Sequence, residues 1–222
     1  GPEGFLLETV PRGSGFQVLA AGVDPRGVLY AAGEILRRGV VRESHFEFPA
    51  HLTLRTAPAF EIRGTQFGQS SVARNRAKVR PWTEQDRRRA ILDFALAGMN
   101  TVEVGDSTRA DDSDYRLLKS FGLKTLVHYG PNVGDGPPEW RAVESIGRTG
   151  YLCPSVPAAR EALIRRCEER FRDAAPVDYV RFYGGDGGGC ECDRCKPYGG
   201  TLIRLCEDLA QVIHRYHPRT EI

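Results

Sequence analysis

Apolar residues recur along this chain in two rhythms, and the change between them falls near residue 60. Phe5–Val10 and Phe16–Ala20 are strand-like runs on either side of Pro11-Arg12-Gly13-Ser14-Gly15, a turn cluster. After Asp24-Pro25 the apolar positions Val28, Leu29, Ala32, Ile35 and Leu36 take helical spacing, with Gly39 where a helix would stop. Two more short strands are predicted near Phe46–Phe48 and Leu52–Leu54. These pieces make a small α+β domain over residues 1–57, closed by Ala57-Pro58-Ala59 as a linker into a second domain over 58–222.

From residue 60 the pattern becomes strand, helix, strand, helix. Phe60–Gly64, Thr101–Val104, Lys124–Tyr129 and Val177–Tyr183 read as strands. Thr83 caps a predicted helix to about Ala97, with Asp86 three residues on and Gly98 at its end. A short helix follows Asp114, and a longer one after Ser155 aligns Ala159, Leu163, Cys167 and Phe171. Leu202, Leu205, Cys206, Leu209, Val212, Ile213 and Tyr216 form the clearest helical stripe, and Thr220-Glu221-Ile222 reads as the start of a fifth strand. Alternating strands and helices predict parallel βαβ units in an α/β fold. Both the first half of a (β/α)8 TIM barrel and an open doubly wound sheet fit; polar, glycine-rich residues just after successive strands favour the barrel.

Composition narrows the function classes. Lys+Arg number 31 against 29 Asp+Glu, a net charge of +2, which gives no dedicated nucleic-acid or polybasic membrane surface. No apolar run approaches the ~18–20 residues of a membrane span. The sequence opens Gly1-Pro2-Glu3-Gly4 with its one Met at position 99, and reads as an interior piece of a longer protein.

Candidate chemistry collects at the predicted strand ends. They carry Arg63, then Glu103 and Asp106, then His128 and Tyr129, then Tyr183 and the run Gly184-Gly185-Asp186-Gly187-Gly188-Gly189. Carboxylates, an arginine, a histidine and aromatic rings suit a polyhydroxylated ligand. Asp186 is the sharpest candidate, because glycines on both sides permit close backbone approach to a ligand. Arg63, Asp106 and His128 are the further candidates for substrate binding. Local turn chemistry is the competing explanation for each taken singly. Trp82 and Trp140 are equally readable as sugar platforms or as core. His45, His51, His214 and His217 read as surface or helix-end residues.

The six cysteines are unevenly placed. Cys153, Cys167 and Cys206 look like small core residues. Cys190, Cys192 and Cys195 form C-x-C-x-x-C, close enough to chelate a structural zinc; the fourth ligand would be Cys206, a histidine or a residue beyond Ile222. A local disulfide is the rival in an exported protein. A metal-binding interaction module built on these cysteines is a third, separate functional reading.

Glu3–Leu7, Val18–Ala21 and Gly27–Leu36 resemble the small domain that precedes the barrel in family 20 β-N-acetylhexosaminidases and in α-glucuronidases. Phe60-Glu61-Ile62-Arg63-Gly64 resembles the first barrel strand of those hexosaminidases, whose arginine binds sugar. Gly98–Val102 resembles the second strand, and Val180–Asp186 the fourth, which in the family ends Gly-Gly-Asp-Glu. The resemblance implies a hydrolase acting on glycosidic bonds of hexosaminides or uronides, an oligosaccharide or glycoside as partner, and an extracellular or periplasmic setting. It implies that Asp186 orients the substrate. Gly187 stands where the family has its general-acid glutamate, and glycine transfers no proton. The acid would then come from Glu103, Glu191 or strands beyond this chain. The alternative is a non-catalytic carbohydrate-binding protein that lost the acid.

Overall fold

A computed structural model describes residues 1–66, 82–105, 108–143, 150–184 and 189–222. Two compact units divide the chain: Gly1–Val102 with Arg116–Leu123, and Glu103–Tyr115 with Lys124–Ile222.

In the first unit, β1 (Phe5–Arg12) pairs antiparallel with β2 (Gly15–Gly22) and with β5 (Thr53–Thr56), in the order β2-β1-β5. Helix α1 (Pro25–Arg38) lies on this sheet, and Phe5, Leu7, Tyr30 and Ala31 form the core between them. The Asp24 side chain caps α1 by accepting from the Gly27 backbone N–H, and Pro25 fills the first turn, where its missing N–H costs nothing. The buried face of α1 is Gly27, Tyr30, Ala31 and Gly33, while Val28 and Leu36 of the predicted stripe are exposed. Close approach explains the difference: a Cβ on Gly27 would lie 2.2 Å from the Gly4 carbonyl oxygen. Small residues let the helix descend onto the sheet, and that sets its rotation. Gly39 ends α1 with φ −84°, not the left-handed turn its position implied. Space demands glycine there instead, since a Cβ would meet the Phe46 ring at 1.8 Å.

β3 (Val40–Val41) and β4 (Phe46–Glu47) form a small separate pair. The first strand of the α/β series, β6 (Gly64–Gln66), begins where the predicted strand ended. Phe60 and Ile62 are exposed, and the Arg63 backbone is already engaged. Its N–H donates to Asn100 Oδ1, and its carbonyl accepts from the N–H groups of Asn100 and Thr101. Helix α2 (Glu84–Leu96) opens with the expected Thr83–Asp86 capping box, and Gly98 after it has φ +86°. β6 lies beside β7 (Thr101–Val104).

In the second unit the later half of β7, then β8 (Lys124–Tyr129) and β9 (Tyr179–Phe182), lie side by side. β8 and β9 are parallel, with His128 opposite Arg181. Helix α3 (Ser113–Ser120) connects β7 to β8, and α4 (Pro157–Arg172) connects β8 to β9. Helix α5 (Tyr198–Tyr216) follows β9, and Glu221 then bridges Tyr179 in parallel, as the predicted fifth strand requires. The core joins Val127, Tyr129 and Val180 of the strands to Ala159, Leu163, Cys167 and Phe171 of α4 and Leu205, Leu209, Val212 and Ile213 of α5. The Asp178 carboxylate pins the strand starts together by accepting from the N–H and hydroxyl of Thr125. No helix among the described residues is long and apolar enough to cross a membrane.

Candidate functional site: a polar strand row and a four-thiol group

Burial along β8 alternates strictly: Thr125, Val127 and Tyr129 are buried, and Lys124, Leu126 and His128 are less so. Val127 and Tyr129 point at the helices, so His128 occupies the opposite sheet face. Arg181 shares that face by register, next to Val180, which packs into the helix-side core. Glu103 of β7 completes the row. Its carboxylate is 6% exposed, with Oε2 at 3.5 Å from Arg181 Nη2 and Oε1 at 3.8 Å from His128 Nδ1. A carboxylate this buried persists only with such compensation. The His128 ring meets Tyr183 edge-on at 4.7 Å between centroids. Acceptor, donor fork, imidazole and ring therefore stand within one patch at the carboxyl ends of parallel strands, the end where α/β proteins assemble their sites.

The other sequence candidates fall differently. Asp106 and Asp186 lie outside the described residues. Arg63 belongs to the first unit, where it precedes β6 instead of following it. Its Nε donates to the Gly98 carbonyl at 2.8 Å, its Nη1 to the Phe60 carbonyl at 2.7 Å, and its Nη2 to the Glu3 carboxylate and to the Tyr30 hydroxyl. Glu3 is buried, at φ 58°, and also pairs with Arg26 at 2.8 Å. Trp82 is exposed, whereas Trp140 packs on the core. His217 is buried, its Nε2 2.8 Å from the Phe171 carbonyl, so it joins α5 to α4 and is not a surface residue.

Four cysteine sulfurs of the second unit lie within 4.8 Å of one another: those of Cys190, Cys192 and Cys195, and that of Cys153. Cys153 is the fourth member that the spacing motif could not name. It is brought in by the segment ahead of α4, where its N–H donates to the Trp140 carbonyl at 2.7 Å. Cys192 and Cys195 sit on a tight turn closed by the Cys195 N–H on the Cys192 carbonyl at 2.9 Å. Cys153 Sγ is 3.7 Å from Cys192 Sγ and 3.6 Å from Cys195 Sγ, so these are free thiols, far from the ~2.05 Å of a disulfide. Burial pushes the Cys153 and Cys195 thiols up. Burial also opposes ionisation of Cys192, but thiols of Cys195, Cys190 and Cys153 hydrogen-bonded to it take it down to about 7. The group is compatible with a structural metal: it offers four soft ligands in one place.

No protein-family profile matches this sequence, and no characterised protein matches it significantly. Among solved structures, the chain is similar to a GH20 exo-β-N-acetylglucosaminidase from Vibrio harveyi, solved in complex with N-acetylglucosamine. The TM-score is 0.58 at 14% identity, over 96% of this chain and 43% of that one. The GH36 α-galactosidase AgaA A355E from Geobacillus stearothermophilus, with 1-deoxygalactonojirimycin, gives a TM-score of 0.44 at 13% identity over 88% and 31%. The α-galactosidase TtGalA from Thermus thermophilus, with p-nitrophenyl α-D-galactopyranoside, gives 0.41 at 14% over 92% and 46%. The last two scores carry no weight. The first shows a glycoside-hydrolase-like fold, of which this chain spans less than half the length of the matched enzyme.

Proposed function

We propose that this chain is part of a carbohydrate-active protein that hydrolyses glycosidic bonds, with a hexosaminide or uronide as substrate. The observation that carries this reading is the row Glu103, His128 and Arg181 at the ends of β7, β8 and β9. Glu103 would accept from sugar hydroxyls, Arg181 would donate, and the Tyr183 ring would pack on a sugar face. The likeness to a family 20 fold supports the same reading. Asp106 and Asp186 belong to the proposal as further ligands for the sugar, and Arg63 is retained only as a candidate to be tested. A first half of a (β/α)8 barrel is the architecture proposed for the strand–helix series. A structural metal on Cys190, Cys192 and Cys195 is also part of the proposal and takes no part in the chemistry.

The second reading is a sugar-binding protein without turnover, favoured by Gly187 at the position of the family's acid. Both readings are tested together. Calorimetric titration with N-acetylglucosamine and glucuronic acid reads binding, and 4-nitrophenol release from the matching aryl glycosides reads turnover. Binding with turnover supports the hydrolase; binding alone supports the second reading. Asp186→Asn should abolish the binding, and an unchanged affinity would remove Asp186 from the proposed site.

A further inference from the structure

We propose that Cys153, Cys190, Cys192 and Cys195 together hold one zinc ion as a closed four-thiolate site, in which Cys153 ties the segment ahead of α4 to the loop after β9. The inference deepens the structural-metal part of the proposed function and owes nothing to the sugar reading.

The distances fit a metal better than either alternative. A tetrahedron with Zn–S bonds of ~2.3 Å has S–S edges of about 3.8 Å. The two sulfur separations from Cys153, 3.7 and 3.6 Å, lie close to that edge. Disulfide formation would instead require sulfur pairs to close to little more than half that separation. Four reduced thiols packed together without a metal would be merely a small apolar cluster, which leaves the backbone donor aimed at one of them unexplained. The Val143 backbone N–H donates to Cys190 Sγ at 3.3 Å; the Ser155 hydroxyl donates to the Arg194 carbonyl and its oxygen lies 3.1 Å from Cys195 Sγ. A backbone donor directed at sulfur is what a metal-bound thiolate recruits, because its charge is only partly neutralised by the ion. Tyr198 packs against the group, and its hydroxyl is buried with no partner among the described residues.

The donor set also fixes the class of metal and its role. Sulfur-only coordination selects zinc or iron over calcium or magnesium. Four protein ligands leave no open position for a reacting water, so the ion is structural. Cys153 and Cys195 are 42 positions apart, and the segment between them contains α4 and β9. The ion would close this segment into a loop and fix Cys190, which follows Asp186 by four positions.

The test uses the purified chain and metal alone. Elemental analysis after dialysis should find one zinc per chain. A thiol reagent should then modify Cys206 alone, since Cys167 is sealed in the helix core, and a chelator should expose four further cysteines. Replacement by cobalt(II) should give the intense sulfur-to-cobalt charge-transfer bands of a tetrahedral thiolate site. Cys153→Ser should weaken zinc binding by at least ~100-fold, beyond the loss typical of an outer-shell group, while Cys206→Ser leaves it unchanged. If Cys153→Ser fails to fold, the cobalt spectrum of the unaltered chain decides alone. Iron in place of zinc, six equally reactive thiols, or the mass loss of two disulfides in unreduced protein would each overturn the proposal. None of these outcomes depends on whether a sugar binds.

Discussion

Arg181 Nη2 lies 2.9 Å from Nδ1 of His128, directly across the β8–β9 pair. A guanidinium only donates, so Nδ1 must accept and the imidazole proton sits on Nε2. The arginine thereby fixes which face of the ring can donate to a ligand. The same Nη2 is 3.5 Å from Glu103 Oε2, so one cation contacts both the imidazole and the carboxylate of the row.

That arrangement makes Glu103→Gln informative, since the amide keeps the shape and removes the charge. Affinity for N-acetylglucosamine is expected to fall by roughly 10-fold or more, the scale of a lost charged hydrogen bond. The folding midpoint should move little, because Arg181 is half exposed and can be solvated. Calorimetry and a melt on the same sample separate the two effects. Undiminished affinity would remove Glu103 from the sugar site and leave its burial as a structural fact only.

Arg63 invites the opposite expectation. Its donors serve Glu3, Tyr30 and two carbonyls of the first unit. Arg63→Ala should cost about 2–3 kcal/mol, because among the described residues the buried Glu3 would keep only Arg26 as a charged partner. Urea denaturation monitors this loss, and sugar titration of the same variant asks about ligand binding separately. A stable variant that no longer binds sugar would show that the side chain serves the ligand and not the fold.

The second unit was the more legible in the sequence. The stripe Ala159, Leu163, Cys167, Phe171 is fully buried, because a helix packed on a parallel sheet must show one continuous apolar face. β8 was bounded correctly for a related reason: alternation survives where one face meets helices. The helix α1 was legible, and Ile35 of its stripe packs on the core, but its most buried face is Gly27, Tyr30, Ala31 and Gly33, so Val28 and Leu36 turn outward. Phe60 and Ile62 mimic a strand, but the Asn100 side chain takes the Arg63 N–H and delays β6 to Gly64. In the site, C-x-C-x-x-C announced three thiols by local spacing, whereas Cys153 could not be paired with them without the fold. Arg181 was passed over inside an apolar strand; its signal was a charge at the position opposite His128.

The α4–α5 core sets a further expectation. Leu209 has no exposed surface and lies between strands and α4. Leu209→Ala should destabilise the chain by about 2–5 kcal/mol, depending on how far the neighbours close the cavity. Leu209→Met, which conserves volume, should cost less than about 1.5 kcal/mol. Equal losses for both would mean that this part of the core is loosely packed, and a chemical denaturation series distinguishes the cases.

Asp24 links the first unit to pH. N–H groups of Gly27 and then Glu3 donate to its carboxylate and hold it below the ordinary carboxylate value. A depressed folded value means the charged form stabilises the fold, fully above the unfolded value of about 3.9 and progressively less as pH falls through the folded one. Asp24→Ala should therefore cost about 1 kcal/mol near neutrality, as for other helix caps. The gap between the unaltered chain and the variant should narrow below about pH 4, where the lost ionisation no longer distinguishes them. Denaturation at a series of pH values reads that gap directly. A gap constant down to strongly acid pH would show that Asp24 caps α1 by its shape and hydrogen-bonding oxygens, with its charge contributing nothing.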